Sequence, residues 1–285
     1  MQELYKETKF IMNKYNIRAN KSLGQNFLVS EDAVNSIINS ADITKADLII
    51  EIGPGLGTLT KELLEQAGKV ICIELDTKMV NILQDRFALY DNLEIINEDV
   101  LKVNLNELIQ KEKKEHNLIT AKIVANLPYY ITTPIVMKLL EDKLDIESIT
   151  IMIQKEVAQR LIAKPGESLS GAITYAIHYY TEPENVVEVS HDAFIPQPEV
   201  DSQVIKLNIR KEPAVKVKDE DRLFKIIKFA FIQRRKTLIN ALSNGNMFES
   251  KEETKKMLET LNIDTKIRGE KLTLEQFAQI ADYEN

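Results

Sequence analysis

The sequence predicts an α/β fold: a mostly parallel sheet flanked by helices, followed by a small all-α domain. Three observations carry this. The apolar run Leu48-Ile49-Ile50 ends in Glu51 and opens on glycines at 53, 55 and 57, after which Leu59, Leu63 and Leu64 recur at helical spacing. Short apolar runs then alternate with helical patterns to about residue 163. From Asp221 onward only the helical period remains.

In chain order, Leu4, Ile11, Met12 and Tyr15 predict a leading amphipathic helix that ends before Asn16. Leu23-Gly24-Gln25-Asn26-Phe27-Leu28 is a polar turn running into two large apolar residues. Ser30, followed by Glu31 and Asp32, is a helix start, with Val34, Ile37, Ile38 and Ala41 as its buried face. Beyond the glycines, strands are expected near 69–74, 93–97, 121–125 and 148–153. Helices are expected near 58–67, 77–89, 104–114, 133–141 and 155–163. Strict alternation implies parallel pairing through right-handed crossovers. Val186–Val189 and Gln203–Ile209 read as an antiparallel pair at the sheet edge. Glu212-Pro213 interrupts the strand pattern, which gives a domain of residues 1–211 and a helical one of 212–285.

A chain of 285 residues, 44% hydrophobic and 28% charged, can hold one large domain and a small one. No window reaches the length of a membrane span, and the first twenty residues lack a signal-peptide core. The single cysteine, Cys72, cannot close an internal disulfide, so a reducing, cytoplasmic setting is expected. His116, His178 and His191 are scattered and offer no metal constellation. Net charge is −7, yet Lys206–Asn240 carries eleven Lys and Arg against four acids. Such a stretch serves either as a cationic face or as a solvated helix surface.

Two short stretches bear on chemistry. A strand, a tight glycine turn and a helix form the opening unit of a nucleotide-binding sheet. A dinucleotide fingerprint would need glycine where Thr58 stands, and there is no G-x-x-x-x-G-K-[ST] phosphate loop. Glu74 closes the second strand, where such sheets place a carboxylate on ribose hydroxyls. By itself the turn equally suits a plain strand-to-helix connection. The second stretch, Asn126-Leu127-Pro128-Tyr129, follows the strand Ile123-Val124-Ala125. The Asn126 side-chain oxygen and the Leu127 carbonyl can hold the hydrogens of a planar amine, whose lone pair is otherwise delocalised into its ring. Tyr129 can stack on the base, a contact worth ~1–3 kcal/mol. The alternative is an ordinary turn with Thr133 as N-cap and Pro134 at N1.

The pattern acid-x-Gly-x-Gly-x-Gly resembles the first motif of S-adenosylmethionine-dependent methyltransferases. Four elements occur in order: Leu23–Leu28, Glu51–Gly57, Asn126–Pro134 and Phe194–Ser202. Together they resemble the ribosomal RNA adenine N6,N6-dimethyltransferases of the small-subunit branch. The resemblance implies a Rossmann-like sheet and transfer of two methyls to N6 of each of two adjacent adenosines. It places Gln25, Asn26 and Leu28 at the methionine end of the cofactor, Gly53 and Gly55 beneath it, and Glu74 and Leu75 at its ribose. Asp99 and Val100 fall at its adenine. Asn126 serves both cofactor and target amine, and Leu127, Pro128, Tyr129 and Phe194 complete the catalytic pocket. Arg234, Arg235 and Lys236 are expected on a basic helix that contacts RNA, and the partner is the small-subunit particle, met by a monomer. Two departures from the family, Ser170 before Gly171 and His178 before Tyr179, fall in the 164–180 region. Competing readings are a large-subunit adenine methyltransferase of the macrolide-resistance type, a DNA adenine or small-molecule methyltransferase, and a non-catalytic assembly factor.

Overall fold

In a computed structural model, the chain is described at residues 2–20, 23–244, 247, 248 and 250–283. The elements run α1 (Gln2–Lys14), β1 (Phe27–Leu28), α2 (Glu31–Ser40), β2 (Asp47–Ile52), α3 (Thr58–Gln66), β3 (Lys69–Ile73) and α4 (Thr77–Arg86). There follow β4 (Leu93–Ile96), α5 (Leu105–Glu115), β5 (Thr120–Asn126), α6 (Thr132–Glu141), β6 (Ser148–Gln154), α7 (Lys155–Ile162), α8 (Ala172–Tyr180) and β7 (Thr181–Val189). Last come β8 (Phe194–Ile195), β9 (Ser202–Ile209), α9 (Glu220–Ile232), α10 (Leu238–Asn244), α11 (Lys251–Thr260) and α12 (Leu274–Asp282). They divide into two units, Met1–Ala158 with Pro183–Ile209, and Gln159–Glu182 with Arg210–Asn285.

In the first unit seven strands take the order β4-β3-β2-β5-β6-β9-β7. β2 pairs in parallel with β3 on one side and β5 on the other. Every residue of β2 and β3 is buried, which accounts for their near-continuous apolar runs. Ile49, Val70, Cys72 and Val124 point to one face and pack under α2 and α3. At the other end of the sheet Lys122, almost fully buried, donates to the Asp42 carbonyl (2.6 Å) and faces Asp47 at 3.1 Å. The two strands expected as a pair at the edge are β7 and β9: β9 runs antiparallel to β6, and β7 lies outermost beside it.

The sheet's connectivity positions the site. From β2 the chain moves outward to β3 and β4, then returns to β5 on the opposite side of β2. Such a reversal opens a crevice at the carboxyl ends of the two strands. Glu51 pairs with Val124, so the Gly53 turn and Asn126 emerge side by side.

The second unit is helical. Tyr175, Tyr179, Leu223, Ile227, Leu238, Met257 and Phe277 form its core. Tyr175 meets Phe277 edge-on at 5.0 Å and donates its hydroxyl to the Leu272 carbonyl at 2.6 Å. The linear division at 211/212 therefore gives way to a discontinuous one, because α8 supplies two tyrosines to this core. The two departures at 170 and 178 are absorbed within it: Ser170 is buried and donates to the Glu167 carbonyl (2.6 Å), and His178 Nε2 bonds the Ala163 carbonyl (2.8 Å).

Candidate active site

The floor of the crevice is the glycine turn. Gly53, Gly55 and Gly57 have φ of +66°, +58° and +83°, in the left-handed region that glycine enters at no steric cost. This conformation lets the Gly55 N–H donate to Glu74 Oε2 at 3.1 Å, while the Asp76 N–H donates to Oε1 at 2.8 Å. Glu74 is buried at the end of β3. Burial pushes its carboxyl above the usual range, and those two N–H groups work in the opposite direction. Below the turn Glu51 is also buried, with only neutral donors to Oε2: Thr60 Oγ1 at 2.6 Å and Cys72 Sγ at 3.4 Å. Burial raises its pKa to about 7.

Asn97 closes the adjoining wall, donating to the carbonyls of Glu74 (2.8 Å) and Leu75 (3.2 Å). Asp99 accepts the Leu101 N–H at 3.0 Å, next to buried Val100. Over this wall runs the segment from Leu23 to Leu28. Gln25 accepts from the Asn20 N–H (2.8 Å) and donates to Asp76 Oδ2 (2.9 Å), so its side chain ties the segment down. Phe27 and Leu28 pair antiparallel with Ile195 and Phe194 in a separate two-stranded sheet that joins the first motif to the fourth.

The last face is the corner after β5. Asn126 Nδ2 donates to the Asn26 carbonyl at 3.5 Å, which leaves Oδ1 as the amide's acceptor. The Leu127 side chain is buried while its N–H extends the ladder to Met152 (3.1 Å). Tyr129 shares a 2.6 Å hydrogen bond with Ser202 Oγ at the start of β9, and burial pushes its phenol up. Phe194 is only 2% exposed and belongs to the core beneath the crevice, which it also lines. Contrary to the expected capping, α6 begins at Thr132, because the 3₁₀ turn Tyr129–Ile131 feeds directly into it and the Thr132 hydroxyl returns to the Pro128 carbonyl (3.2 Å). Pro134 thus lies within the first turn, where its missing N–H has no helical partner to lose.

All of Gln25, Asn26, Leu28, Gly53, Gly55, Glu74, Leu75, Asp99, Val100, Asn126, Leu127, Pro128, Tyr129 and Phe194 line one crevice enclosing about 1080 Å³, part of it open to solvent. Arg234, Arg235 and Lys236 belong to the helical unit. They occupy the turn between α9 and α10 instead of a helix. Arg234 is already engaged, donating to the carbonyls of Ser168 (3.1 Å) and Ser170 (3.0 Å) and lying 3.4 Å from Glu270. Sequence reasoning gave no role to Glu51, Tyr130 or Ser202, of which Glu51 was legible as the acid of its motif. Outside the crevice Glu112, Glu115 and His116 converge on α5, but Lys111 stands 2.9 Å from Glu112 and 3.8 Å from Glu115, so a cation already neutralises the cluster.

The chemistry of the lining discriminates among nucleotides. Four acids face the crevice (Glu51, Glu74, Glu98 and Asp99), and among the described residues lining it there is no Lys, Arg or His. A phosphate-bearing cofactor would find no countercharge there. A cationic sulfonium with a ribose for Glu74 and an adenine for Asp99 and Val100 fits the donor set. Fold and site therefore define an S-adenosylmethionine-dependent methyltransferase.

The family model described as "Ribosomal RNA adenine dimethylase" matches residues 16–285. The chain belongs to that family and is an S-adenosylmethionine-dependent ribosomal RNA adenine dimethyltransferase. It is 50% identical over 274 residues to ribosomal RNA small subunit methyltransferase A of Alkaliphilus metalliredigens, covering 96% of this chain and 94% of the relative. A dimethyladenosine transferase from Plasmodium falciparum superposes with a TM-score of 0.75 at 26% identity, covering 89% of this chain and 95% of that one. The 23S rRNA methyltransferase ErmE shares the fold, with a TM-score of 0.70 at 24% identity over 90% of this chain and 98% of its own.

Proposed function

We propose that the enzyme dimethylates N6 of two adjacent adenosines in a hairpin of small-subunit ribosomal RNA, acting in the cytoplasm as a monomer on small-subunit particles late in their assembly. The observation that carries the reading is the acid-lined crevice with Asn126 at its end. The small-subunit assignment is supported by the 50% identical relative of that name.

When bound, S-adenosylmethionine would supply a methyl already activated by the sulfonium, the carbon–sulfur bond breaking to leave a neutral thioether, so no nucleophilic side chain is needed. Gly53 and Gly55 lie beneath it, Glu74 accepts from the ribose hydroxyls next to Leu75, and Asp99 and Val100 hold the adenine. Asn26 and Leu28 bound the methionine end, and Gln25 acts by holding their segment against Asp76. Asn126 Oδ1 and the Leu127 carbonyl, presented by the turn at Pro128, accept the hydrogens of the target amine. That restores the lone pair which conjugation withdraws, and aims it for in-line attack. Tyr129, fixed through Ser202, stacks on the extruded base, and Phe194 packs across from it. The surplus proton leaves to water once nitrogen is alkylated. In the helical unit the exposed Arg235 and Lys236 contact RNA phosphates, whereas Arg234 chiefly holds its own loop.

Small- and large-subunit particles from cells lacking the modification, incubated with labelled S-adenosylmethionine, test the reading. Dimethyladenosine should appear by mass spectrometry at adjacent positions in small-subunit RNA. Label confined to large-subunit RNA, or no transfer to either, would contradict it.

A further inference from the structure

Tyr130 has no part in the chemistry above, yet it lines the same crevice and is 57% exposed at its mouth. The 3₁₀ turn Tyr129–Ile131 sends consecutive side chains apart. Tyr129 is held inward by Ser202, whereas Tyr130 makes no hydrogen bond and no ring contact among the described residues. The ring is nevertheless placed. It rests on Gly24, whose φ is +61° and where a Cβ would come within 3.1 Å of Tyr130 Cδ1. The Pro128 side chain lies on the same glycine. The Cδ1–Cε1 edge of the ring lies over Gly24 while more than half of the residue is open to solvent, and an exposed aromatic ring at a binding mouth is what stacks nucleobases in single-strand readers.

Extruding a base leaves its neighbour with one unstacked face next to the vacated position. Resting on the proposed function, we propose that Tyr130 is a substrate-positioning residue whose ring stacks on the base adjoining the target adenosine. Where two neighbouring adenosines are modified, that base is the other target. The platform then keeps the RNA in place while one nucleotide is exchanged for the next in the Tyr129–Phe194 pocket. Glycine suits position 24 because its φ of +61° lies in the left-handed region and because a Cβ there would press on the ring edge at 3.1 Å.

The test uses small-subunit particles reconstituted on RNA carrying 2-aminopurine in place of the base next to the target, whose fluorescence is quenched by stacking. With the wild-type protein, binding should quench the probe. Tyr130→Phe should quench it equally. Tyr130→Ala should lose the quench and raise KM for the particle roughly fivefold to 150-fold, with the Kd for S-adenosylmethionine unchanged in equilibrium dialysis. Quenching that persists in Tyr130→Ala overturns the proposal. So does a variant with weakened donor binding and unchanged KM, which would make Tyr130 a support for the segment over the crevice. A wild-type protein that transfers no methyl to unsubstituted small-subunit particles would instead refute the proposed function.

Discussion

The two faces of the crevice are built by different means. Around Glu74, on the donor face, the contacts are carried by backbone donors: Asp76 N–H reaches it across two positions and Gly55 N–H across nineteen. The conformation of the glycine turn follows from glycine itself. On the target face the corresponding contacts join residues 100 apart (Asn126 to Asn26) and 73 apart (Tyr129 to Ser202), so each depends on distant parts of the chain. The Glu74 part of the donor site needs only β2, the glycine turn, β3 and the turn at Asp76. The target site depends on the segment 23–28 and the start of β9 arriving together.

Five substitutions sharpen that contrast. The largest effect is expected at Asn126→Ala, which removes the acceptor proposed to hold the reacting amine. Turnover should fall about 10²- to 10³-fold, while the donor Kd, which the proposed function assigns chiefly to Glu74 and Asp99, should shift by less than about tenfold. Radiolabel transfer and equilibrium dialysis read the two, and a Kd that collapses with turnover would merge the faces.

Next is the pH dependence of the donor face. Glu51 is buried near only neutral donors, Thr60 and Cys72, with the Glu74 carboxylate adding repulsion. The folded state holds its proton up to about pH 7, whereas the unfolded chain releases it near the ordinary 4.5. Across that window the folded state binds more protons, so this group's contribution makes stability fall as pH rises. The loss is at most about 3 kcal/mol. Glu51→Gln cannot ionise and should lose that part of the slope when urea unfolding is followed from pH 4 to 8. A variant slope equal to the wild type's would remove Glu51 as its source.

Gly57→Ala should cost about 2 kcal/mol of stability from left-handed backbone strain. It also forces aside Phe87, 2.5 Å from the added carbon. Urea midpoints measure this, and an unchanged midpoint would mean that the turn tolerates side chains. Smallest is Ser202→Ala, which removes one hydrogen bond, about 1 kcal/mol, and should reduce kcat/KM about fivefold. Tyr129→Phe should match it, and the double variant should be no worse than either, since both delete one interaction. Additive losses would show that the two groups act separately.

The same contrast explains what could be read beforehand. β2, the glycine turn, α3 and Glu74 were legible because period, turn chemistry and strand end lie within 30 residues. Asn126 was legible because a strand end at a switch point is a place where ligands bind. By contrast β1 and β8 are two residues each and carry no periodicity. α8 reads Ala-Ile-Thr-Tyr-Ala-Ile-His-Tyr-Tyr, apolar nearly all round, and so shows no stripe to mark it as a helix of the second unit. The sequence reads Gln25 as a ligand contact; Gln25 lines the crevice, and its amide also ties the segment to Asp76, a partner the sequence does not reveal. Arg234 was read as a phosphate contact, but carbonyl and carboxylate partners from residues 168, 170 and 270 claim it. Charge along a chain does not report which cations are already spoken for.

The central claim is that the two faces meet at Asn126. A crystal structure with S-adenosylmethionine bound tests it most directly. The account predicts ribose hydroxyls on Glu74, adenine against Asp99 and Val100, and the reactive methyl directed at the Asn126–Tyr129 corner. A methyl turned away from Asn126, or a donor seated outside this crevice, would contradict it.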